Sequence, residues 1–447
     1  MTHPREADIR SPRRGRRILR WVLLPLGVLV TALVLVVVAA VVWVQATMFR
    51  GDDTAAGPLV LTGATVLAGP ELDARDGWTV VVEDGRVTEL GLASDVAIPP
   101  EADVLELDGH TVLPGLVDSH VHLGFPAEGG LGIVGAVADW FRFAGPRREA
   151  MLEHGVTTMR SLGDDPEWIT DLRGRVQSDE LAGPRVFAAG PVFTTPGGHP
   201  VVTVGLGEDD VSVRVPGDPD QAREMVRDLV SGGDEVDAIK IIHDRGDAEA
   251  MTLDPLPTEI LGVIVDEAHA HGTHVVVHWG TPADLVEALD AGVDELQHME
   301  PRGVEEGWDA ALLERLVDSE VPLAPTLGVV EPVMSPDRMA TLRARLMEFV
   351  DAGGTPIAAS DAPLNGIGFG DAVIREMELF VEAGVSPRQA LIAATTTPGS
   401  LMPEPGVGVI APGSPGDLLV VRGDPTADIQ AIRDVAMVFR DGARVVG

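Results

Sequence analysis

The longest apolar run in the chain lies near its start. Trp21 to Met48 holds no charged residue, and Leu26 to Val44 is Val, Leu and Ala broken only by Gly27, Thr31 and Trp43. About 20 apolar helical residues cross a bilayer, so residues 21–48 predict a transmembrane anchor with some tilt. The run exceeds the roughly 7–15 residues of a usual signal-peptide core. Val44-Gln45-Ala46 still resembles a small-residue cleavage site, and Arg16-Arg17-Ile18-Leu19 a twin-arginine export signal, which leaves a cleaved leader as the alternative. Residues 49–57 read as a short polar linker.

Beyond the linker the pattern changes to short β-type runs at Leu59–Leu61, Thr79–Val82, Arg86–Thr88 and Val104–Leu107. Asp84-Gly85 between two of them is a hairpin signal. The end of the chain repeats this style, with strands over 417–422 and 435–440 and a second Asp-Gly turn at Asp441-Gly442. Segments 58–112 and 402–447 therefore predict one small composite β-sandwich. Between them strands and helices alternate. Candidate strands are 116–123, 157–163, 185–190, 238–242, 274–279, 295–299, 322–327 and 356–362. Leu261 to His271 and Leu312 to Ser319 show apolar residues at helical spacing, and Pro282 suits the first turn of a helix. Eight alternating units predict an α/β fold, a (β/α)8 TIM barrel over 113–401, with chemistry at the C-terminal ends of its strands.

Charge sharpens the membrane reading. Residues 1–20 carry seven Arg against Glu6 and Asp8, a net of +5, so the remainder of a chain at −37 carries −42. A basic segment before an apolar run sits in the cytoplasm, which places the barrel outside the membrane of a single-pass protein. A body this acidic has no use for nucleic-acid phosphates. Cysteine is absent, so a metal would need His, carboxylate or a modified side chain.

Such side chains recur at the predicted strand ends. His120 and His122 in Asp118-Ser-His-Val-His-Leu123 lie at i and i+2 of a strand, on one side of it. His278 ends Val275-Val-Val277, His298 ends Glu295-Leu-Gln297, and Asp361 follows Ile357-Ala-Ala-Ser360. Singly, each His could be a hydrogen-bonded core residue, and Asp361 a helix cap; together they mark one end of one barrel. Lys240, the only lysine in the chain, sits in the apolar strand Ala238-Ile-Lys-Ile-Ile242. A buried amine loses its charge readily. The neutral form can take up carbon dioxide as a carbamate, an anion able to bridge two cations. A snorkelling or salt-bridged lysine is the alternative.

With these residues in place the chain resembles the amidohydrolase superfamily, in its imidazolonepropionase-like and prolidase-like branch. Leu113-Pro-Gly-Leu-Val-Asp-Ser-His-Val-His-Leu123, Gly155-Val-Thr-Thr158, Ala238-Ile-Lys240, Val275-Val-Val-His278, Leu296-Gln-His298, Ala359-Ser-Asp361, Leu391-Ile-Ala-Ala-Thr-Thr396 and Gly413-Ser-Pro-Gly-Asp-Leu418 carry the resemblance. It covers roughly residues 58–447. It implies two divalent metal ions, zinc by the chemistry of the donors. His120 and His122 would hold the more buried ion and His278 and His298 the more exposed one. N6-carboxylated Lys240 would bridge them, and Asp361 would bind the buried ion and act as the catalytic proton carrier. The implied reaction is hydrolysis of an amide, peptide or lactam C–N bond by a metal-bridging hydroxide.

Departures from the family pattern bear on the substrate. Trp279 follows His278 where relatives often place a second His shortly afterwards, and the chain has no Tyr. Imidazolonepropionases do not use a carboxylated lysine on strand four, so Lys240 argues against that activity. His199, in a loop resembling one after strand three of the family, is a candidate substrate contact together with Arg160 and Trp279. For Arg160 a structural salt bridge is the alternative. His243 belongs to the loop after Lys240, and His154, His269, His271 and His274 read as structural. The substrate would be a small molecule or dipeptide-like, and an oligomer is compatible with the sequence. Two rival readings are a mononuclear deaminase of the same superfamily, which lacks a bridging lysine, and a membrane-tethered binding module without catalysis.

Overall fold

The computed structural model describes residues 13–50, 57–125, 133–232, 235–247, 251–299, 301–305 and 307–447. The chain divides into two compact units, residues 1–48 and 49–447. The first twelve residues of the basic segment and residues 51–56 of the linker lie outside the described residues.

The first unit is one helix, Arg13–Ala46. Its stretch Val28–Ala46 has a mean hydropathy of 2.8 over 19 residues, and none of it is buried by the protein. At about 1.5 Å per residue it is long enough to cross a bilayer. Length and composition equally suit a signal segment.

In the second unit, Phe49 and Arg50 depart from the expected free linker. Arg50 bridges to Leu181, and the Phe49 carbonyl accepts from Ala182 N (3.1 Å) and Arg148 Nη1 (3.2 Å). Strands follow at β1 Leu59–Ala68, β2 Asp73–Glu83, β3 Arg86–Leu92, β4 Asp103–Glu106 and β5 His110–Pro114; near the end of the chain come Leu418–Arg422, Val435–Arg440 and Ala443–Val446. By hydrogen bonding these form a single eight-stranded mixed sheet rather than two separate ones. One buried cluster nevertheless joins Leu61, Val82, Val87, Val112, Val420 and Phe439 from both chain segments. Both Asp-Gly turns form as expected. Asp84 and Gly85 have φ of 50° and 77°, and Asp441 and Gly442 have 49° and 76°. Two consecutive positive φ values match the right-handed twist of the flanking strands.

The intervening strands are parallel. β6 Leu116–Val121, β7 Val156–Ser161 and β8 Arg185–Ala188 make one ladder. β9 Val192–Phe193, β10 Val213–Arg214, β11 Ala238–His243, β12 Gly246–Asp247, β13 Met251–Thr252, β14 His274–Trp279, β15 Glu295–Gln297 and β16 Leu323–Ala324 follow. All of these except the β12–β13 hairpin pair in the order β10-β9-β11-β14-β15-β16. Every residue of β6, β7, β8 and β11 is buried, as strands covered on both faces require. The helices fall where the pattern put them, at Thr258–Ala270 and Ala310–Asp318. Pro282 opens the helix Pro282–Ala291 behind a Thr281/Asp284 capping box.

The last three expected strands are shortened or lost. The backbone turns left-handed at His298 (φ 68°), Thr326 (φ 49°) and Asp361 (φ 61°), and a left-handed residue ends an extended run. Segment 356–362 is therefore no regular strand. Single bridges Leu323↔Pro356 and Val121↔Ala362 tie it on either side. His122 N also donates to Ala362 O (2.8 Å) and Asp361 N to His120 O (2.7 Å).

Candidate metal centre

Strand geometry gathers the candidate side chains. His120 and His122 leave the end of β6 on one side, with ring centroids 5.2 Å apart. Parallel pairing sets Lys240 of β11 beside Val276 of β14, and Ile242 beside His278. The His298 ring lies 5.0 Å from that of His120 and 4.6 Å from that of His278. Asp361 reaches three of them. Its Oδ1 is 3.2 Å from His120 Nε2 and 3.0 Å from His122 Nε2, and its Oδ2 is 3.8 Å from His298 Nδ1. All six residues line one cavity of about 280 Å³.

The protonation pattern favours a cation there. Gln297 Nε2 donates to the buried Glu295 carboxylate, so its Oε1 faces His120 Nδ1 at 2.6 Å as an acceptor. That hydrogen bond places the His120 proton on Nδ1 and leaves a lone pair on Nε2. Burial, followed by the charges of Lys240 and His298, holds His120 neutral, well below the usual imidazole range. His120 Nε2, Asp361 Oδ1 and Lys240 Nζ are buried without a hydrogen-bond partner. A lone pair and a carboxylate oxygen 3.2 Å apart repel each other unless a cation lies between them. His120, His298 and Asp361 each bring one donor atom within 4.8 Å of the others, close enough to share one ion. Lys240 is 1% exposed, and burial pulls its ammonium down to about 7 against the opposing pull of Asp361. Burial thus favours its neutral amine, the form a carbamate needs. The donor set fits a metal-dependent centre.

The remaining candidates separate. His199 lines the cavity and stacks on His278, with centroids 5.2 Å apart and planes 15° from parallel. Arg160 does not reach the cavity; it pairs in the core with Glu295 (2.5 Å) and donates to Ser119 O (3.1 Å), which is the salt-bridge alternative. Trp279 does not line the cavity. Strand alternation turns it away from His278's side, and its fully buried ring packs 6.4 Å from Trp308. His243 likewise faces outward, 2.8 Å from Glu287 and 4.0 Å from Asp284. This second carboxylate cluster already holds a cation, because Arg245 pairs with both acids. His269 and His274 meet Asp294 and Glu295, His271 meets Glu267, and His154 meets Ala150 O.

Three partners of the site escaped the sequence reading. Asp244 Oδ2 lies 3.3 Å from His278 Nε2, Thr326 Oγ1 lies 2.8 Å from His298 Nδ1, and Gln297 holds His120. Asp244 had one available signal, an acid four residues after Lys240 on the same strand end. Gln297 is found only by knowing that the left-handed His298 lets two successive residues both face inward.

The Amidohydrolase family model matches residues 111–445. The chain belongs to the amidohydrolase family. Members are generally metal-dependent, in keeping with the donor cluster. This amidohydrolase is 28% identical over 230 residues to an uncharacterized protein of Mycobacterium tuberculosis, covering 51% of this chain and 52% of that protein. It thus spans about half the length of that curated relative. It is 34% identical over 168 residues to adenine deaminase 1 of Jannaschia sp., covering 36% and 26% of the two chains. Among solved structures it is similar to a putative prolidase from Bifidobacterium longum, at 27% identity and a TM-score of 0.70, covering 88% and 95%. A prolidase complexed with N-methylphosphonate-L-proline matches at 25% identity and a TM-score of 0.71, covering 87% and 99%.

Proposed function

We propose that this amidohydrolase is a binuclear metal-dependent hydrolase of carbon–nitrogen bonds, tethered to the membrane by its N-terminal helix. On this reading the parallel strands and segment 356–362 close a (β/α)8 barrel over 113–401. Segments 58–112 and 402–447 form its accessory β-domain. Residues 21–48 anchor a single-pass protein, residues 1–20 stay in the cytoplasm, and the barrel works outside it. The observation that carries the reading is the set of buried, unpartnered donors on one cavity: His120 Nε2, Asp361 Oδ1 and Lys240 Nζ.

His120, His122 and Asp361 would hold the more buried ion, and His278 and His298 the more exposed one. Lys240, carboxylated on Nζ, would lie between them. Zinc suits imidazole and carboxylate donors. When bound, the ions would supply Lewis acidity toward a carbonyl oxygen and a water of lowered pKa. The chain's own part is to orient and to move protons. Gln297 and Thr326 fix the imidazoles of His120 and His298. Asp361 takes a proton on its carboxylate and passes it to the departing nitrogen. The similarity to a prolidase complexed with N-methylphosphonate-L-proline supports a C–N substrate.

The test is metal analysis of the full chain in detergent, with bicarbonate present. Two zinc ions per chain, with one or both lost in Lys240→Ala, is the expected result; one ion, unaffected by that substitution, refutes the binuclear reading. The similarity to an adenine deaminase keeps a second reading in view, a mononuclear deaminase. A single ion with ammonia release from an aminopurine would establish it.

A further inference from the structure

The cavity around the donors is walled mainly by apolar side chains. Val192 and Ile242 pack into a cluster with Val213, Leu206 and Val215, and this cluster forms one wall. Val329, Val330 and Leu364 form another. Both walls are fixed by the protein itself. The short helix Leu327–Val330 is held at its first two N–H groups by the buried Glu376 carboxyl group (2.8 and 2.6 Å). Asn365 Nδ2 donates to Val329 O (2.7 Å) and ties the Leu364 segment to that helix. Outside the donor set the lining has four polar side chains: Thr326 bonds His298, Ser212 bonds Asp210, Asn365 Nδ2 bonds Val329 O and His199 Nδ1 bonds Thr203, and none of the four is an arginine or lysine.

Among the described residues, Lys240 is the only cation on this lining. The arginines nearest in sequence to the site are engaged. Arg147 bonds the carbonyls of Leu123 and Phe125, Arg160 pairs with Glu295, Arg214 bonds the carbonyls of Val211 and Val213, and Arg245 pairs with Asp284 and Glu287. The internal segments outside the described residues contain neither Lys nor Arg. Arg302 is the one nearby cation whose side chain lies outside the described side chains. A carboxylate placed against walls of Val, Ile and Leu loses its hydration without a guanidinium or ammonium there to compensate its charge.

We propose that the site takes an uncharged carboxamide with apolar groups on both sides of the scissile C–N bond, and not a dipeptide or N-acyl amino acid carrying a free carboxylate. This rests on the C–N hydrolase reading above and deepens it. Water would add its hydroxyl to the carbonyl carbon and its proton to the nitrogen, giving one carboxylic acid and one amine without any redox change. The apolar walls would hold the acyl and amine substituents, and only the reacting amide would lie at the metal-donor end of the cavity.

The test uses one bond with and without one charge: N-hexanoylpyrrolidine against N-hexanoyl-L-proline, on the full zinc-loaded chain in detergent. Binding by calorimetry is read separately from hydrolysis. The neutral amide is expected to bind at least about tenfold more tightly, and to be hydrolysed with the larger kcat/KM. In Val330→Arg, which puts a cation on the wall, the acyl-proline should gain at least about tenfold relative to the neutral amide. Equal or tighter binding of the acyl-proline to the unmodified chain overturns the inference, and loss of that preference in Arg302→Ala would then name the missing cation. If the neutral amide binds preferentially but neither compound is hydrolysed, the specificity stands and the hydrolase reading fails. If neither compound binds, the specificity inference fails, whatever the metal analysis gives.

Discussion

The ion pair beneath the metal donors offers the sharpest test of how this site is supported. Glu295 is fully buried; its Oε1 accepts from Arg160 and Gln297, and its Oε2 faces His274 at 3.1 Å. Burial alone would raise its pKa, but Arg160 and His274 outweigh burial and hold it at about 2, against an ordinary 4.5. At about 1.4 kcal/mol per pKa unit, that difference corresponds to about 3 kcal/mol of folding stability. The sign follows from a depressed carboxylate. The contribution is complete above the unfolded pKa of 4.5 and is lost as pH falls from there through about 2. Glu295→Leu leaves the Arg160 guanidinium buried without its anion, and breaking a buried pair on one side costs about 3–5 kcal/mol. Arg160→Met combined with Glu295→Leu removes both charges and should recover at least half of the loss, with the Gln297 amide left unpaired at about 1–3 kcal/mol. The assay is the denaturant midpoint of the full chain in detergent at pH 7, with a constant m-value showing that the same surface unfolds. It is repeated between pH 5 and 3, where only chains keeping Glu295 should lose this increment. A single-variant cost under about 1 kcal/mol, or a double variant no better than Glu295→Leu, would refute the reasoning.

Other outcomes follow from the same geometry. Asp361→Asn should retain measurable zinc yet lose turnover of any accepted amide by at least about a hundredfold; near-normal turnover with zinc bound would remove Asp361 from the proton path. Gln297→Leu frees the His120 ring, and metal affinity should fall about 10–100-fold in competition with a chelator. Glu376 is raised to about 8 by burial, which outweighs the Gly328 and Leu327 N–H groups. The folded state therefore favours its protonated form, and stability should decline as pH rises from 4.5 to about 8. Glu376→Gln should flatten that decline in melting temperature between pH 6 and 8. Gly115→Ala would set a Cβ 2.0 Å from Thr157 Oγ1, and such overpacking should cost about 1–3 kcal/mol in denaturant midpoint.

Much of this protein was legible from periodicity and residue type. An uncharged run of 28 residues from Trp21 to Met48 marks a membrane-spanning or signal segment, because its length and composition suit either. Asp-Gly pairs dictate hairpins, since few other residues accept two positive φ values in succession. Buried parallel strands announce themselves as apolar runs, and an out-of-place Lys or His in such a run marks polar chemistry. Lys240, His120 and His278 were therefore visible as a set. The ends of the last strands were not, because the modest left-handed preference of Asp and His is too weak to mark one position, and Thr has none. At His298, Thr326 and Asp361 the conformation is imposed by neighbours in space. The partners were hidden for the same reason. Arg160 and Glu295 are 135 residues apart, and Gln297 and His120 are 177 apart; only the tertiary placement of β7 and β6 opposite β15 decides that they meet. Trp279 follows His278 in sequence, but strand alternation turns its ring to the other side, against Trp308. Residue chemistry along the chain determined which kind of centre this protein could build. Tertiary structure decided which lone pairs were left facing one another without a proton between them, because that depends on partners no local pattern records.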